Sequence, residues 1–239
     1  MNREYHCWYS PSLRRDMELL VFGHAGARML VFPTANGRFH EWEDCGMVAA
    51  LSDHIENGWL QLYCVDNVTP ESWFASEKEP KDRVRRHVQF LNYLLHEVLP
   101  FSGRKNSNEF LMTVGADFGA YYAVTFALRH PHLVGRTIGM SGFYDISRWT
   151  DNFGGEKVYE NNPFWFIPKE YDVNRIMALQ RQDIILAVGK KDTVCNNNQK
   201  LSGLLWQKKI GNALRIWNGQ AHDWASWMQM LRIYVDGHD

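Results

Sequence analysis

Short strand-like apolar runs alternate along this chain with longer stretches of helical spacing, and that alternation limits what the chain can fold into. The short runs are residues 17–22 (MELLVF), 28–34 (RMLVFPT), 59–66 (WLQLYCVD), 109–114 (EFLMTV), 136–141, 183–188 (DIILAV) and 213–217. Helical spacing covers 42–55, 82–99, 118–130, 199–210 and 224–234; in 82–99 the residues Val84, Val88, Leu91, Leu94, Leu95 and Val98 form one stripe. Strand and helix repeated five times predict an α/β fold with a mostly parallel sheet and helices on both faces. Run 183–188 has no polar alternation, as expected of a strand buried on both sides. Runs 17–22 and 28–34 are joined only by Gly23-His24-Ala25-Gly26, so they are expected to be antiparallel and to form an N-terminal hairpin.

Composition narrows the functional classes. The 239 residues carry a formal charge of −1, which lacks the basic excess of a nucleic-acid or membrane-surface binder. An apolar share of 45% excludes intrinsic disorder. No run approaches the ~20 apolar residues of a membrane span, and MNREYHCWYS has no apolar signal core, so a cytoplasmic protein is expected. Cys7, Cys45, Cys64 and Cys195 are isolated and are read as free thiols. With no linker or repeat, one domain over 1–239 is expected, with a small aromatic-rich lid at about 150–171.

In open parallel sheets the chemistry sits beyond the carboxyl ends of the strands. After run 109–114 comes Gly115-Ala116-Asp117-Phe118-Gly119 and then a helix: small residues flank one polar residue, as a sharp strand-to-helix elbow requires. After 183–188 comes Gly189-Lys190-Lys191-Asp192, where an orienting acid belongs. After 213–217 comes Asn218-Gly219-Gln220-Ala221-His222, where a general base belongs. The loop after 28–34 offers backbone N–H groups at Ala35, Asn36 and Gly37. With Phe118 N–H, one of them would complete an oxyanion hole, Asn36 and Gly37 being the leading candidates.

These residues carry a resemblance. FPTANGRFHEWED, VGADFGAYYAVTFALRHPHLVGRTIGMSGFYDIS, ILAVGKKD and GQAHDWASW are similar to the α/β-hydrolase superfamily, in its esterase branch. The resemblance implies an α/β-hydrolase fold, a small-molecule carboxylic ester as substrate, no cofactor, Asp192 as acid and His222 as base. It departs at the centre, because the family has Ser at the middle of the elbow and this chain has Asp117.

Asp117 has three readings: a replaced serine in an esterase whose ester hydrolysis is thereby impaired; an Asp nucleophile of the dehalogenase or epoxide-hydrolase type; or a non-catalytic binding protein on the same fold. Ser141, in Gly139-Met140-Ser141-Gly142, is read as structural, and Asp145 is the rival acid. His40, Glu41, Glu43 and Asp44 are read as a helix start rather than a metal site, and no metal is expected. No phosphate-binding glycine motif is present. Trp165 and Tyr144 are expected to line the substrate pocket; these two, Trp149 and Tyr159 are the nominees for a halide or epoxide anchor in the Asp-nucleophile reading. An exposed part of the aromatic segment is a candidate surface for a homo-oligomer.

Overall fold

The computed structural model describes residues 1–151 and 153–237. Its eight strands are β1 (Arg3–Ser10), β2 (Arg15–Phe22), β3 (Ala27–Phe32), β4 (Leu60–Val65), β5 (Leu111–Ala116), β6 (Arg136–Met140), β7 (Asp183–Gly189) and β8 (Ala213–Trp217). They form one sheet in the order β1-β2-β4-β3-β5-β6-β7-β8. The β1–β2 and β2–β4 pairs are antiparallel and the other five are parallel. This is the mostly parallel sheet with an antiparallel N-terminal hairpin that the sequence implies.

The hairpin is made by different strands from those expected. β1 and β2 form it, with Arg3 opposite Phe22 and Ser10 opposite Arg15. β2 and β3 run in opposite directions but do not touch as a ladder, because β4 lies between them. The 23–26 turn carries the chain past the start of β4, where Ala27 N–H donates to the Trp59 carbonyl at 2.8 Å. A turn that short reads as a hairpin, but β4 claims the inner edge of both strands.

The helices are α1 (Glu41–Asp44), α2 (Met47–Ala50), α3 (Ser52–Glu56), α4 (Pro80–Tyr93), α5 (Leu99–Lys105), α6 (Phe118–Arg129), α7 (Glu156–Glu160), α8 (Pro163–Phe166), α9 (Val173–Leu179), α10 (Cys195–Gln207) and α11 (Trp224–Tyr234). The single helix expected over 42–55 is three short ones, the first break falling at Gly46 with φ 80°. α4 runs into α5 through a wide π turn at Leu94–Val98. Pro100, which has no N–H to give back to the preceding turn, accounts for that widening. Among the described residues no helix is long and apolar enough to cross a membrane.

Alternation along β3 shows how the core is divided. Leu30 and Phe32 pack with Tyr63, Phe90, Leu94, Tyr121, Tyr122 and Phe126 on one face. Met29 and Val31 pack with Trp42, Ile55, Trp227, Met230 and Leu231 on the other. β6 and β7 extend the second face, and Ile184 and Leu186 of β7 join a third cluster with Val124, Leu128, Leu201 and Leu205. Val158, Phe164, Phe166 and Ile167 of the 150–171 segment are buried in the first and third clusters. Several of its apolar residues therefore fill the core.

Candidate active site

The turn from β5 into α6 throws one side chain above the sheet. Asp117 has φ 53° and ψ −125°, a conformation rarely adopted by residues with a side chain and costing about 1–3 kcal/mol. The flanking glycines make the turn sterically allowable. A Cβ on Gly119 would lie 2.5 Å from the carbonyl oxygens of Phe32 and Pro33, and one on Gly115 would run into the Gly119 backbone. The G-A-D-F-G spacing is thus dictated by how closely α6 approaches β3 and β5.

Asp192 and His222 arrive at the same point from the ends of β7 and β8. Their loops are tied together: Lys190 N–H donates to the Trp217 carbonyl and Lys191 N–H to the Gly219 carbonyl, both at 2.8 Å. His222 Nδ1 is 2.9 Å from Asp192 Oδ2, and His222 Nε2 is 3.7 Å from Asp117 Oδ1. Side-chain exposure falls from 38% at Asp117 to 25% at His222 and 1% at Asp192. The second Asp192 oxygen accepts from Val194 N–H at 3.1 Å.

The other Asp117 oxygen, Oδ2, accepts from Ala35 N–H at 3.4 Å, and Phe118 N–H also serves the carboxylate. Of the N–H groups expected to face the elbow, Gly37's closes a turn on the Thr34 carbonyl at 3.1 Å, and Asn36 is exposed. Asn36 and Gly37 instead line a cavity of about 420 Å³ with Arg15, Asn67 and Glu71. The loop is braced from two sides. Glu41 accepts from Thr34 N–H at 2.8 Å and from its hydroxyl at 2.6 Å, while the Asn67 amide donates to the Thr34 and Gly37 carbonyls. These braces aim Ala35 at Asp117, and no local sequence signal identifies them.

The charges interlock. Burial opposes the charge of Asp117, but the His222 ring and the Phe118 and Ala35 N–H groups outweigh it and hold its pKa below the usual carboxylate value. Asp192 is lowered likewise, His222 and Val194 N–H overcoming burial. His222 is raised to about 9, first by Asp117 and then by Asp192, against the effect of burial. Near neutral pH the three groups are therefore two carboxylates around an imidazolium. In that state the ring cannot accept a proton, and a carboxylate oxygen fills the space in front of the Ala35 N–H.

Ser141 is part of the framework. It is 1% exposed, its hydroxyl donates to the Ala221 carbonyl at 3.3 Å, and it accepts from Trp227 Nε1 at 3.2 Å. It anchors the residue before His222. Asp145, the rival acid, is committed to Ser147 and to the Asn162 amide. Tyr144 is fully buried in the third core cluster rather than open to a pocket; its ring fills the space left by Gly139 and Gly142. Trp165 is half-buried, packed against the first and third clusters. The rings beside the elbow are others: Phe118 meets Phe74 at 5.1 Å and Trp149 at 5.0 Å between centroids.

Comparison with known proteins agrees with this architecture. The family model described as "Putative esterase" matches residues 64–232, a span that contains Asp117, Asp192 and His222 but not Ala35. No curated protein matches the sequence. Among solved structures, a ferulic acid esterase superposes with a TM-score of 0.78 at 16% identity, over 98% of this chain and 96% of its own. An S-formylglutathione hydrolase of Staphylococcus aureus gives 0.75 at 13% identity, over 98% and 97%. A ferulic acid esterase of Anaeromyces mucronatus, in complex with ferulic acid, gives 0.74 at 12% identity, over 99% and 90%. At these identities the likeness is one of fold.

Proposed function

Because this chain belongs to the Putative esterase family and has the α/β-hydrolase fold, we propose that it is a carboxylic-ester hydrolase scaffold in which Asp117 stands at the nucleophile position and impairs ester hydrolysis. One observation carries this reading: a single ring, His222, lies 2.9 Å from Asp192 and 3.7 Å from the elbow side chain. In this reading Asp192 orients His222, and His222 faces the nucleophile. The Ala35 and Phe118 N–H groups form the oxyanion hole, and a small-molecule ester is the substrate, with no cofactor. Asp117 disables each part in turn. It has no hydroxyl to deprotonate, it keeps His222 charged so that the base is lost, and its Oδ2 takes the Ala35 N–H meant for the ester oxygen. Attack by a carboxylate on an ester carbonyl would also have to pass through an anhydride.

The test is hydrolysis of a short-chain p-nitrophenyl ester by this chain and by Asp117→Ser. Turnover by the serine variant alone is the expected result. Turnover by neither, with the variant folded, removes the esterase reading of the site.

One observation supports a second reading, hydrolysis at carbon. Asp117 Oδ2 is held by the Ala35 N–H while Oδ1 is left facing His222. Oδ1 would attack an sp³ carbon, forming an alkyl ester as the bond to halide breaks with its electron pair, or as the epoxide C–O bond opens and His222 protonates the alkoxide. Esterification would remove the Asp117 charge and lower the His222 pKa, freeing the ring to activate the water that cleaves the ester. A mass increase on the peptide containing Asp117 after exposure to haloalkanes or epoxides supports this route, and an unmodified peptide removes it.

A further inference from the structure

The outer face of α4 carries a groove of about 410 Å³ that is lined by none of the residues holding or facing Asp117, Asp192 and His222. Val84 and Val88 of α4 form one apolar side, and Phe153, just ahead of α7, forms the other. Phe153 is a large apolar ring that keeps 39% of its surface exposed. Its segment is fastened to α4. The buried Arg83 donates to the Trp149 carbonyl at 2.9 Å and pairs with Asp151 at 2.9 Å, and Phe153 N–H donates to the Thr150 carbonyl at 2.7 Å. One side chain of α4 therefore holds the opposite wall against the helix that supplies the first.

The rim is positive. Lys81 and Arg85 stand on the same face of α4 as the two valines, at i, i+4 with Val84 and Val88 at i+3 and i+7, and Lys157 stands across from them. Glu156 is the one acid that lines the groove. Arg85 pairs with Asp82 at 3.1 Å and Lys157 with Glu160 at 2.9 Å. Lys81 is exposed and, among the described residues, has no ion-pair partner. Long cationic side chains lay their stems along apolar surface and keep their charge in water. An apolar trough under such a rim complements a ligand that is apolar along its length and negative at one end. The volume lies near the lower end of the range of about 300–1,000 Å³ for small-molecule sites, which limits the chain to moderate length.

We propose that this groove binds a medium-chain aliphatic carboxylate, its chain lying between Val84, Val88 and Phe153 and its charge taken by Lys81, with Arg85 one turn along. The groove shares no residue with the charge triplet, so the proposal does not rest on the ester-site reading. It is a binding property and needs no turnover.

The test is an amide chemical-shift titration of the full chain with octanoate, butanoate and the neutral octan-1-ol. Octanoate is expected to shift signals of α4 and α7, and to bind about tenfold tighter than butanoate, which is four methylenes shorter. It should bind about threefold tighter than octan-1-ol, and Lys81→Gln with Arg85→Gln should bring those two to parity. Phe153→Ser should weaken octanoate and octan-1-ol together, by about fivefold. Lys81, Arg85 and Phe153 are exposed, so these variants test recognition without threatening the fold. Equal binding of octanoate and octan-1-ol to the parent, a preference that survives the double variant, octanoate binding unchanged by Phe153→Ser, or no binding at all would overturn the proposal. So would a dimer in sedimentation velocity that Phe153→Ser dissociates and octanoate does not, because a second copy would then fill the groove. None of these outcomes depends on whether Asp117→Ser turns over an ester.

Discussion

Replacing Asp117 by Asn is expected to lower the pKa of His222 substantially while leaving the fold in place. The rise from 6.5 to about 9 corresponds to roughly 3.4 kcal/mol favouring the charged ring, at ~1.4 kcal/mol per unit. Asp117 is the first cause and Asp192 the second. At 3.7 Å, a charge pair is worth about 4.5 kcal/mol at an effective dielectric near 20 and about 1.1 kcal/mol in bulk water. Asp117 is 38% exposed, so solvent screening keeps its share in the lower half of that range, roughly 1–2 kcal/mol. His222 in Asp117→Asn should therefore titrate about 0.7–1.5 units lower, near 7.5–8.3, still raised by Asp192. The amide can keep the hydrogen bond from Ala35 through its oxygen, so only the charge is removed. The assay is NMR titration of the histidine Cε1–H signals from pH 4 to 10, His222 being assigned from the signal missing in His222→Gln. A His222 that titrates near 9 in the variant, or near 6.5 in the parent, would refute the argument that Asp117 holds it charged.

Stability should follow the same charges. His222 is raised in the folded chain, so its contribution is complete below about pH 6.5 and is lost as pH climbs through about 9. Asp117 and Asp192 are lowered, so theirs is present above about pH 4 and is lost on acidification below it. Urea midpoints should thus be highest between about pH 4.5 and 6.5, and the alkaline decline should be shallower in Asp117→Asn; an unchanged decline contradicts the assignment. Ser141→Ala leaves Trp227 Nε1 without its acceptor and should cost about 1–2 kcal/mol by chemical unfolding. In an Asp117→Ser background the same change should reduce kcat more than it raises KM, because it loosens the backbone before His222. Gly119→Ala forces a methyl group against the Phe32 and Pro33 carbonyls. A loss of about 2–3 kcal/mol, or roughly 5–10 °C in thermal midpoint, is expected, and a neutral substitution would show that the elbow can open.

The sheet and its surface chemistry were legible in the sequence to different depths. Asp117, Asp192 and His222 each follow directly on an apolar run, so strand ends alone bring them to one place. β1 has no apolar signature, because Arg3, Tyr5, Cys7 and Tyr9 share its exposed face and Glu4, His6 and Trp8 its half-buried one. The pairing of β2 was misassigned because turn length is local information, whereas the insertion of β4 depends on how α1–α3 return the chain. The donor facing Asp117 is Ala35 because Glu41 and Asn67 brace the loop, and those contacts span 7 and 33 residues. Tyr144 is drawn away from the pocket because Gly139 and Gly142 leave a hole that its ring fills.

The geometry also sets when the site can exist. Ala35 reaches Asp117 across 82 residues, and His222 reaches Asp192 across 30 and Asp117 across 105. The cationic ring of the triplet, His222, arrives with the last connection of the sheet, just before α11. In any partly folded state in which β8 is unpaired, Asp117 and Asp192 stand at the strand ends without His222 between them. Unpaired anions at a half-buried edge resist dehydration, so closure of the charge triplet and completion of the hydrophobic faces at that end of the sheet should be coupled. A chain that misses it keeps two exposed carboxylates over an unfinished core.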